Sequence, residues 1–178
     1  NKMFASDIGP GNCLLDEWIT SHTSMPYDKN GKMSSKGIVD FNFINNFIDR
    51  LEHFEKRNVS YDTSDFSISE LRGLSVEDGA ATLSYLTAQL IADLINSYPK
   101  VNNVYFGGGG RKNSFLMKVI KKLTKTNIVN LDKIDINGDF VESQAFAYLA
   151  IRSLLKLPIT FKDTTGSKKP VSGGVIYR

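Results

Sequence analysis

Short apolar strands alternating with amphipathic helices predict an α/β domain. Three observations carry the prediction. Val104, Tyr105 and Phe106 run into four glycines, Gly107 to Gly110, then into Arg111, Lys112, Asn113 and an amphipathic stretch, which reads as strand, glycine turn, helix. A second apolar run, Ile128 to Leu131, follows that helix and supplies the next strand. Upstream, apolar residues recur at helical spacing from Leu83 to Ile95 and stop before Pro99, which marks the longest helix.

In chain order, Met3 to Ser6 reads as the end of a strand and the segment from Asp7 to Asn12, Asp-Ile-Gly-Pro-Gly-Asn, as a turn. Asn12 is the expected N-cap of a helix whose Leu14, Leu15, Trp18 and Ile19 share one apolar face. Asp7 therefore stands at a strand end beside a helix N-terminus, with Gly9 and Gly11 allowing a ligand to come close. Such a carboxylate can serve as a general base or simply cap the turn, and this stretch alone supports both. Ser24 to Gly37 is polar and turn-rich, and reads as a surface excursion bordering a cleft. Asp40 caps a helix with Ile44, Phe47, Ile48 and Leu51 on one face, and Asn58 to Leu74 reverts to a loop with one short turn. Ser75 and Asp78 fit a capping box for the longest helix, whose Leu83, Leu86, Leu90, Ile91, Leu94 and Ile95 are expected to face the core.

The glycine stretch organises the rest. Residues without a Cβ take positive φ cheaply and let a ligand lie on bare backbone, while the helix that follows directs free N–H groups at the same place. In that helix Leu116, Val119, Ile120 and Leu123 form the packed face, opposite Lys118, Lys121, Lys122 and Lys125. The alternative is a plain turn between packed elements. After the second strand, a polar loop closes with Asn137, Gly138 and Asp139, and a helix starts at about Phe140. Its Ala145, Ala147 and Ala150 are expected to allow close approach to neighbours. Glu142 in its first turn is either a partner of the helix dipole or a ligand-binding carboxylate. The tail reads as a loop with Thr165 and Gly166, then a terminal strand from Val175 to Tyr177.

The chain has 178 residues, 41% of them apolar and 23% charged, enough for one domain with a real core and unlike a disordered composition. Twenty-two basic against 19 acidic residues give +3 without a concentrated basic stripe, so nucleic acid is not implied. The lone Cys13 forms no internal disulfide and suits a reducing compartment. No apolar run approaches the ~18 residues of a membrane span, no signal peptide is visible at Asn1, and a cytoplasmic setting is expected. His22 and His53 are isolated and imply no metal site. The glycine run is neither a GxGxxG dinucleotide fingerprint with its acidic ribose partner nor a GxxxxGK[ST] phosphate loop, which disfavours a nicotinamide-binding protein.

Taken together, the turn from Asp7 to Asn12 with Leu15 and Asp16, Pro26-Tyr-Asp28, Phe106 with Gly107 to Gly110 and Asn113, Gly138-Asp139 with Glu142, and Ala145-Phe-Ala147, in this order, closely resemble the anhydro-N-acetylmuramic acid kinase family. Thr165-Gly166 and the stretch from Gly174 to Tyr177 match as well. The resemblance implies a ribonuclease-H-like domain of the actin, hexokinase and Hsp70 type, and ATP-dependent phosphorylation of O6 of 1,6-anhydro-N-acetylmuramic acid while water opens the anhydro ring at C1. It implies that Asp7 takes the proton of the attacking water, that Glu142, Gly9 and Asn12 lie on the sugar side, and that Gly107, Gly108, Gly109, Gly110 and Asn113 bind ATP. ATP and Mg²⁺ are the implied cosubstrate and ion, and a homodimer is the implied assembly.

The family's Asp-Gly-Thr-Ser phosphate loop and Asn-Ile-Gly-Gly hairpin do not occur in this sequence, and its Ser-Thr-Gly-Arg-Glu loop is altered near Asp62-Thr-Ser64. The expectation is therefore a C-terminal half, incomplete at its N-terminus. Residues 1–155 would form the ATP-binding domain and 156–178 a tail returning to an N-terminal half. The other reading is a non-catalytic nucleotide-binding remnant.

Overall fold

The computed structural model describes residues 5–55 and 67–175. Its elements are α1 (Cys13–His22), α2 (Phe41–Glu55), α3 (Val76–Asn96), β1 (Asn103–Phe106), α4 (Ser114–Leu123), β2 (Asn127–Asn130), α5 (Val141–Leu154) and α6 (Lys162–Thr165). Single 3₁₀ turns stand at Lys29–Gly31, Ser69–Leu71, Gly109–Lys112 and Leu131–Ile134. The expected α/β class holds. β1 and β2 pair in parallel, Asn103 opposite Asn127 and Phe106 opposite Asn130, with the glycine turn and α4 making the crossover.

α3 is the spine of the fold. Its first half packs on α1 and α2 in a cluster of Leu14, Leu15, Trp18, Ile19, Phe43, Ile44, Phe47, Leu51, Leu71, Leu83 and Leu86. Its second half joins α4 through Ala88, Ile95, Leu116, Val119 and Ile120, against which Val104, Phe106 and Ile128 of the sheet pack. Serving two clusters, the helix is buried nearly all round from Gly79 to Ala88, and small residues there let neighbours approach. One-sided periodicity placed Leu90, Ile91 and Leu94 in the core. They are half-buried instead, because Ala80, Ala81, Ala88 and Ala92 take the innermost positions. The clearest close approach is Gly79, where any Cβ would overlap the Trp18 indole, whose Nε1 donates to the Val76 carbonyl at 3.0 Å.

Capping follows the sequence in part. Asp40 Oδ1 accepts from the N–H groups of Asn42 and Phe43, and Ser75 Oγ accepts from Asp78 N, as expected of helix starts. The Asp78 carboxylate accepts from Ile38 N at 2.6 Å, so it also anchors the preceding segment. Asn12 occupies the cap position of α1 without making a side-chain cap bond, which corrects its expected role.

Residues 24–37 are not a simple surface excursion. Asp28 is 4% exposed and accepts from Met33 N, Ser34 N and Ser34 Oγ, while Ser34 Oγ lies 2.7 Å from Ser84 Oγ of α3. A carboxylate collecting three donors folds the segment onto the spine. The alanines of α5 also depart from expectation: no residue of that helix is buried, and Ala145, Ala147 and Ala150 are exposed. At the ends, Ala5 and Ser6 are irregular, as is Val175, while Met3, Phe4 and residues 176–178 lie outside the described residues, as does the altered loop at 62–64. The tail around Thr165, read from sequence as a loop, carries the short helix α6 with Gly166 as its C-cap, and Thr160 bridges Val171 in antiparallel fashion around it.

Trp18→Ala should lower the unfolding free energy by about 3–5 kcal/mol, since it empties the α1–α3 contact. Urea denaturation with an unchanged slope would read the loss. A change below about 1 kcal/mol would mean that α1 is not held through this side chain.

Candidate functional site

Three backbone turns converge where α1, α4 and the 28–34 segment meet. The first is the turn before α1. Thr87 Oγ1 of α3 donates to the Gly11 carbonyl at 2.7 Å, and Gly9 lies so close to α3 that a Cβ would stand 2.6 Å from Leu90 Cδ1. The Asn12 side chain makes no cap bond to α1 and instead stands beside the glycine turn. The amide nitrogen would lie 4.0 Å from a Cβ on Gly109 and 3.4 Å from one on Gly110.

The second is the glycine turn. Only Gly108 of the four has positive φ, +71°, and its N–H donates to the Gly138 carbonyl at 2.8 Å. The expectation of broad positive-φ use therefore narrows to one residue. Gly107 is needed for closeness, with a Cβ there 3.0 Å from Leu131 Cδ1, whereas Gly109 faces open space apart from Asn12. Asn113 plays a structural part, since its Oδ1 caps α4 by accepting from Leu116 N at 3.0 Å. It is buried against Gly31, where any Cβ would overlap that same oxygen.

The third is the segment built on Asp28. It brings Tyr27, Lys29 and Asn30 to the other two turns, and Ser114 Oγ donates to the Asn30 carbonyl at 2.7 Å to hold it there. Between the three turns lies a cavity of about 440 Å³ lined by Asn12, Asp16, Tyr27, Lys29, Gly109 and Asn113 among others. Burial pushes the Asp16 carboxyl up from its ordinary value, and the negative charge of Asp28 adds to the shift. Bare glycine backbone, the Asn12, Asn30 and Asn113 amides, Tyr27, the Asp16 and Asp28 carboxylates and the ammonium groups of Lys29 and Lys112 suit a polar, hydrogen-bonding organic ligand.

Of the residues singled out from sequence, Asn12, Gly109 and Asn113 are brought together here. Gly107, Gly108 and Gly110 shape the turn without lining the cavity. Gly9 borders a separate space of about 110 Å³ with Ile8, Pro10, Gly11, Thr87, Leu90 and Ile91. Asp7 is exposed on the irregular segment before the first turn, and Glu142 is exposed in the first turn of α5; neither lines the cavity. Sequence reasoning gave no role to Lys29 or Asn30 and attached none to Asp16 and Asp28. The available signal was the Asp28 to Ser34 spacing, which lets one carboxylate close a turn on its own backbone. Among the described residues no three His, Cys, Asp or Glu side chains gather as a metal site, and no helix is long and apolar enough to cross a membrane.

The family model for anhydro-N-acetylmuramic acid kinase matches residues 1–178. Curated proteins of that name resemble the chain closely. The one from Pelagibacter ubique is 45% identical over 180 residues, covering 97% of this chain and 48% of that protein. Those from Zymomonas mobilis and Rhizorhabdus wittichii are 36% and 38% identical, each covering 99% of this chain and 49% of the relative. The chain thus spans about half the length of the curated relatives it matches. With the match running from end to end and the convergent turns at Asn12 and Gly109 built from its motif residues, the chain belongs to the anhydro-N-acetylmuramic acid kinase family.

Proposed function

We propose that this chain supplies the C-terminal, ATP-binding half of a kinase that acts on 1,6-anhydro-N-acetylmuramic acid. The observation that carries the reading is the cavity where Asn12, from the turn that follows Asp7, meets the glycine turn at Gly109. Gly109 leaves open space in which a nucleoside can lie on backbone, and the adjoining amides and Asp16 offer donors and acceptors to it. In the reaction, water adds to C1 of the sugar and gives its proton to Asp7. The C1–O6 bond breaks, O6 attacks the γ-phosphorus of ATP, and ADP leaves, giving N-acetylmuramic acid 6-phosphate. Asp7 is solvent-exposed, within reach of a water molecule and a ligand. Glu142 stands at the start of α5 and would face the sugar, with Gly9 and Asn12 on the same side. Gly107, Gly108, Gly110 and Asn113 serve ATP by setting the shape of the turn.

Magnesium would neutralise the polyphosphate and the transferring phosphoryl group. It would travel on the nucleotide phosphates, since the described residues gather no cluster of three ligands, and Mg²⁺ commonly takes only one or two protein carboxylates.

Two uncovered surfaces support a missing half. Parallel sheets are normally covered on both faces, yet this one has two strands and leaves Tyr105 of β1 more than half exposed. α5 bares Phe146, Tyr148, Ile151 and Leu154, each at least half exposed. An N-terminal half would extend the sheet toward a ribonuclease-H-like domain, cover α5, receive the tail at 156–178 and bring the phosphate-binding loops.

Three substitutions test this reading. Gly109→Val adds a side chain where φ is not strained and only Asn12 is near, so a loss of ATP affinity in calorimetry reports the ligand and not the fold; equal affinity would make the loop a plain turn. In the kinase completed by its N-terminal half, Glu142→Gln should impair the sugar terms and leave ATP affinity nearly intact, and the reverse pattern contradicts the assignment. Asp7→Asn should lower kcat by ~10²–10⁴-fold with nucleotide binding preserved, as general-base loss typically does. The reading is falsified if that variant keeps near-normal kcat or if this chain alone turns over the anhydro-sugar.

A further inference from the structure

Arg111 is the one cation of the glycine stretch that the fold takes inside, its side chain 2% exposed. Burying a guanidinium is costly unless its donors are used. Here Nε and Nη2 form a fork on Asp132 at 2.8 and 3.1 Å, while Nη1 reaches both Asp139 Oδ1 at 2.7 Å and the Gly108 carbonyl at 2.8 Å. The same two segments are tied again without Arg111: Gly108 N donates to the Gly138 carbonyl at 2.8 Å, and Gly138 N donates to Asp132 Oδ1 at 2.9 Å. Gly138 is buried directly beneath the guanidinium, and any Cβ there would overlap it. Lys112 adds an outer ion pair to Asp139 Oδ2.

We propose that Arg111 is the positioning residue of the site, clasping the glycine turn to the 131–139 loop so that the turn and the start of α5 keep one fixed relation. The proposal deepens the kinase reading and rests on it where it invokes ATP and Glu142. α5 begins two residues after Asp139 and buries none of its own residues. Its C-terminal half meets the tail, where Arg152 Nε donates to the Pro158 carbonyl at 2.7 Å, and its start is positioned by what holds its N-terminal loop. Gly107 also comes close, where a Cβ would lie 3.0 Å from Leu131 Cδ1 and 3.5 Å from Val141 Cγ2. The loop that leads into the element carrying Glu142 is thus referenced to the glycine turn chiefly through the four guanidinium bonds of Arg111, with the Gly108–Gly138 backbone bond and the Lys112 ion pair beside them. The bonds from Arg111 and Lys112 hold the Asp139 carboxyl down to about 2, so both carboxylates stay charged and the clasp stays closed throughout the neutral range.

The test uses the kinase that carries this chain, with Arg111→Met and Arg111→Lys read by amide hydrogen exchange and by steady-state kinetics. In Arg111→Met the Gly108 and Gly138 amides should exchange roughly 10–100-fold faster, the loss expected for charged hydrogen bonds, while Ala88 and Ile120 amides in α3 and α4 keep their protection. The KM for ATP should rise roughly 10-fold, with the anhydro-sugar terms worsened as well because both sides of the site shift. Arg111→Lys should stay close to the Met variant, since an ammonium keeps the charge but cannot span Asp132, Asp139 and Gly108 together. Unchanged exchange at Gly108 and Gly138, or faster exchange spread evenly over α3 and α4, overturns the proposal. So does local loosening with unaltered KM values. Should Arg111→Met fail to fold, Asp139→Asn takes its place with the same local loosening expected, and its absence is equally fatal. Where the unaltered protein shows no turnover, the kinase reading falls while the exchange data still decide the clasp, so the two fail separately.

Discussion

The burial of α3 on two sides is the constraint from which the other positions follow. A 21-residue helix spans about 30 Å, and this one gives its first half to α1 and α2 and its second to α4 and the sheet. Small side chains at Ala80, Ala81, Ser84, Ala88 and Ala92 make that double contact sterically possible. Because α1 and α4 are both referenced to one rigid rod, their N-termini are referenced to each other. Asn12 and Gly109, nearly a hundred residues apart in sequence, become neighbours for that reason, and the Thr87 bond to Gly11 fixes the last degree of freedom on the α1 side.

Polar groups complete what apolar packing begins, and they do so in two ways. Asp28 is nearly fully buried, but its oxygens are met by donors of its own segment and by Ser34, which in turn meets Ser84 of the spine. That network is met by neutral donors, so it shapes a loop wall without a countercharge. Arg111 solves the opposite problem, a buried cation whose two carboxylates remain partly in water. Solvent lessens the cost of the carboxylates while the guanidinium fork supplies direction. One network holds the cavity wall to α3; the other holds the far side of the glycine turn to the loop that precedes α5.

Apolar surface is distributed unevenly. The cluster between α1, α2 and α3 leaves Trp18, Leu71 and Ile19 essentially inaccessible, whereas Ile38, Phe41, α5 and Tyr105 on the outer face of β1 present large side chains to solvent. Contiguous exposed apolar residues on a helix and a sheet face mark contact surfaces in soluble proteins. Gly109 and Asn113 stand beside the N-terminus of α4, and Glu142 stands on the exposed helix α5.

The local patterns carried much of this. Strand, glycine turn and helix from Val104 to Leu123, the caps at Asp40 and Ser75, and the packed faces of α1, α2 and α4 were legible because each depends on residues within a turn or two of one another. The motif residues likewise carried the family. Three things depended on partners distant in sequence. Asn12 turned from helix cap to cavity wall because the glycine turn stands opposite it. The 24–37 segment folded inward because Ser84 waits on α3 to complete the Asp28 network. Arg111 and Lys112 follow the same glycines and look alike as letters, yet one is buried and one exposed, since only Arg111 finds Asp132, Asp139 and the Gly108 carbonyl within reach of a single fork. Sequence by itself determined the helices α1 to α5, the two paired strands, the glycine turn and the family they spell, because those are short-range properties. Which turns face one another, which charge is enclosed and which apolar face stays bare was decided by tertiary structure, because burial and hydrogen-bond partnership belong to pairs of segments and not to either one alone.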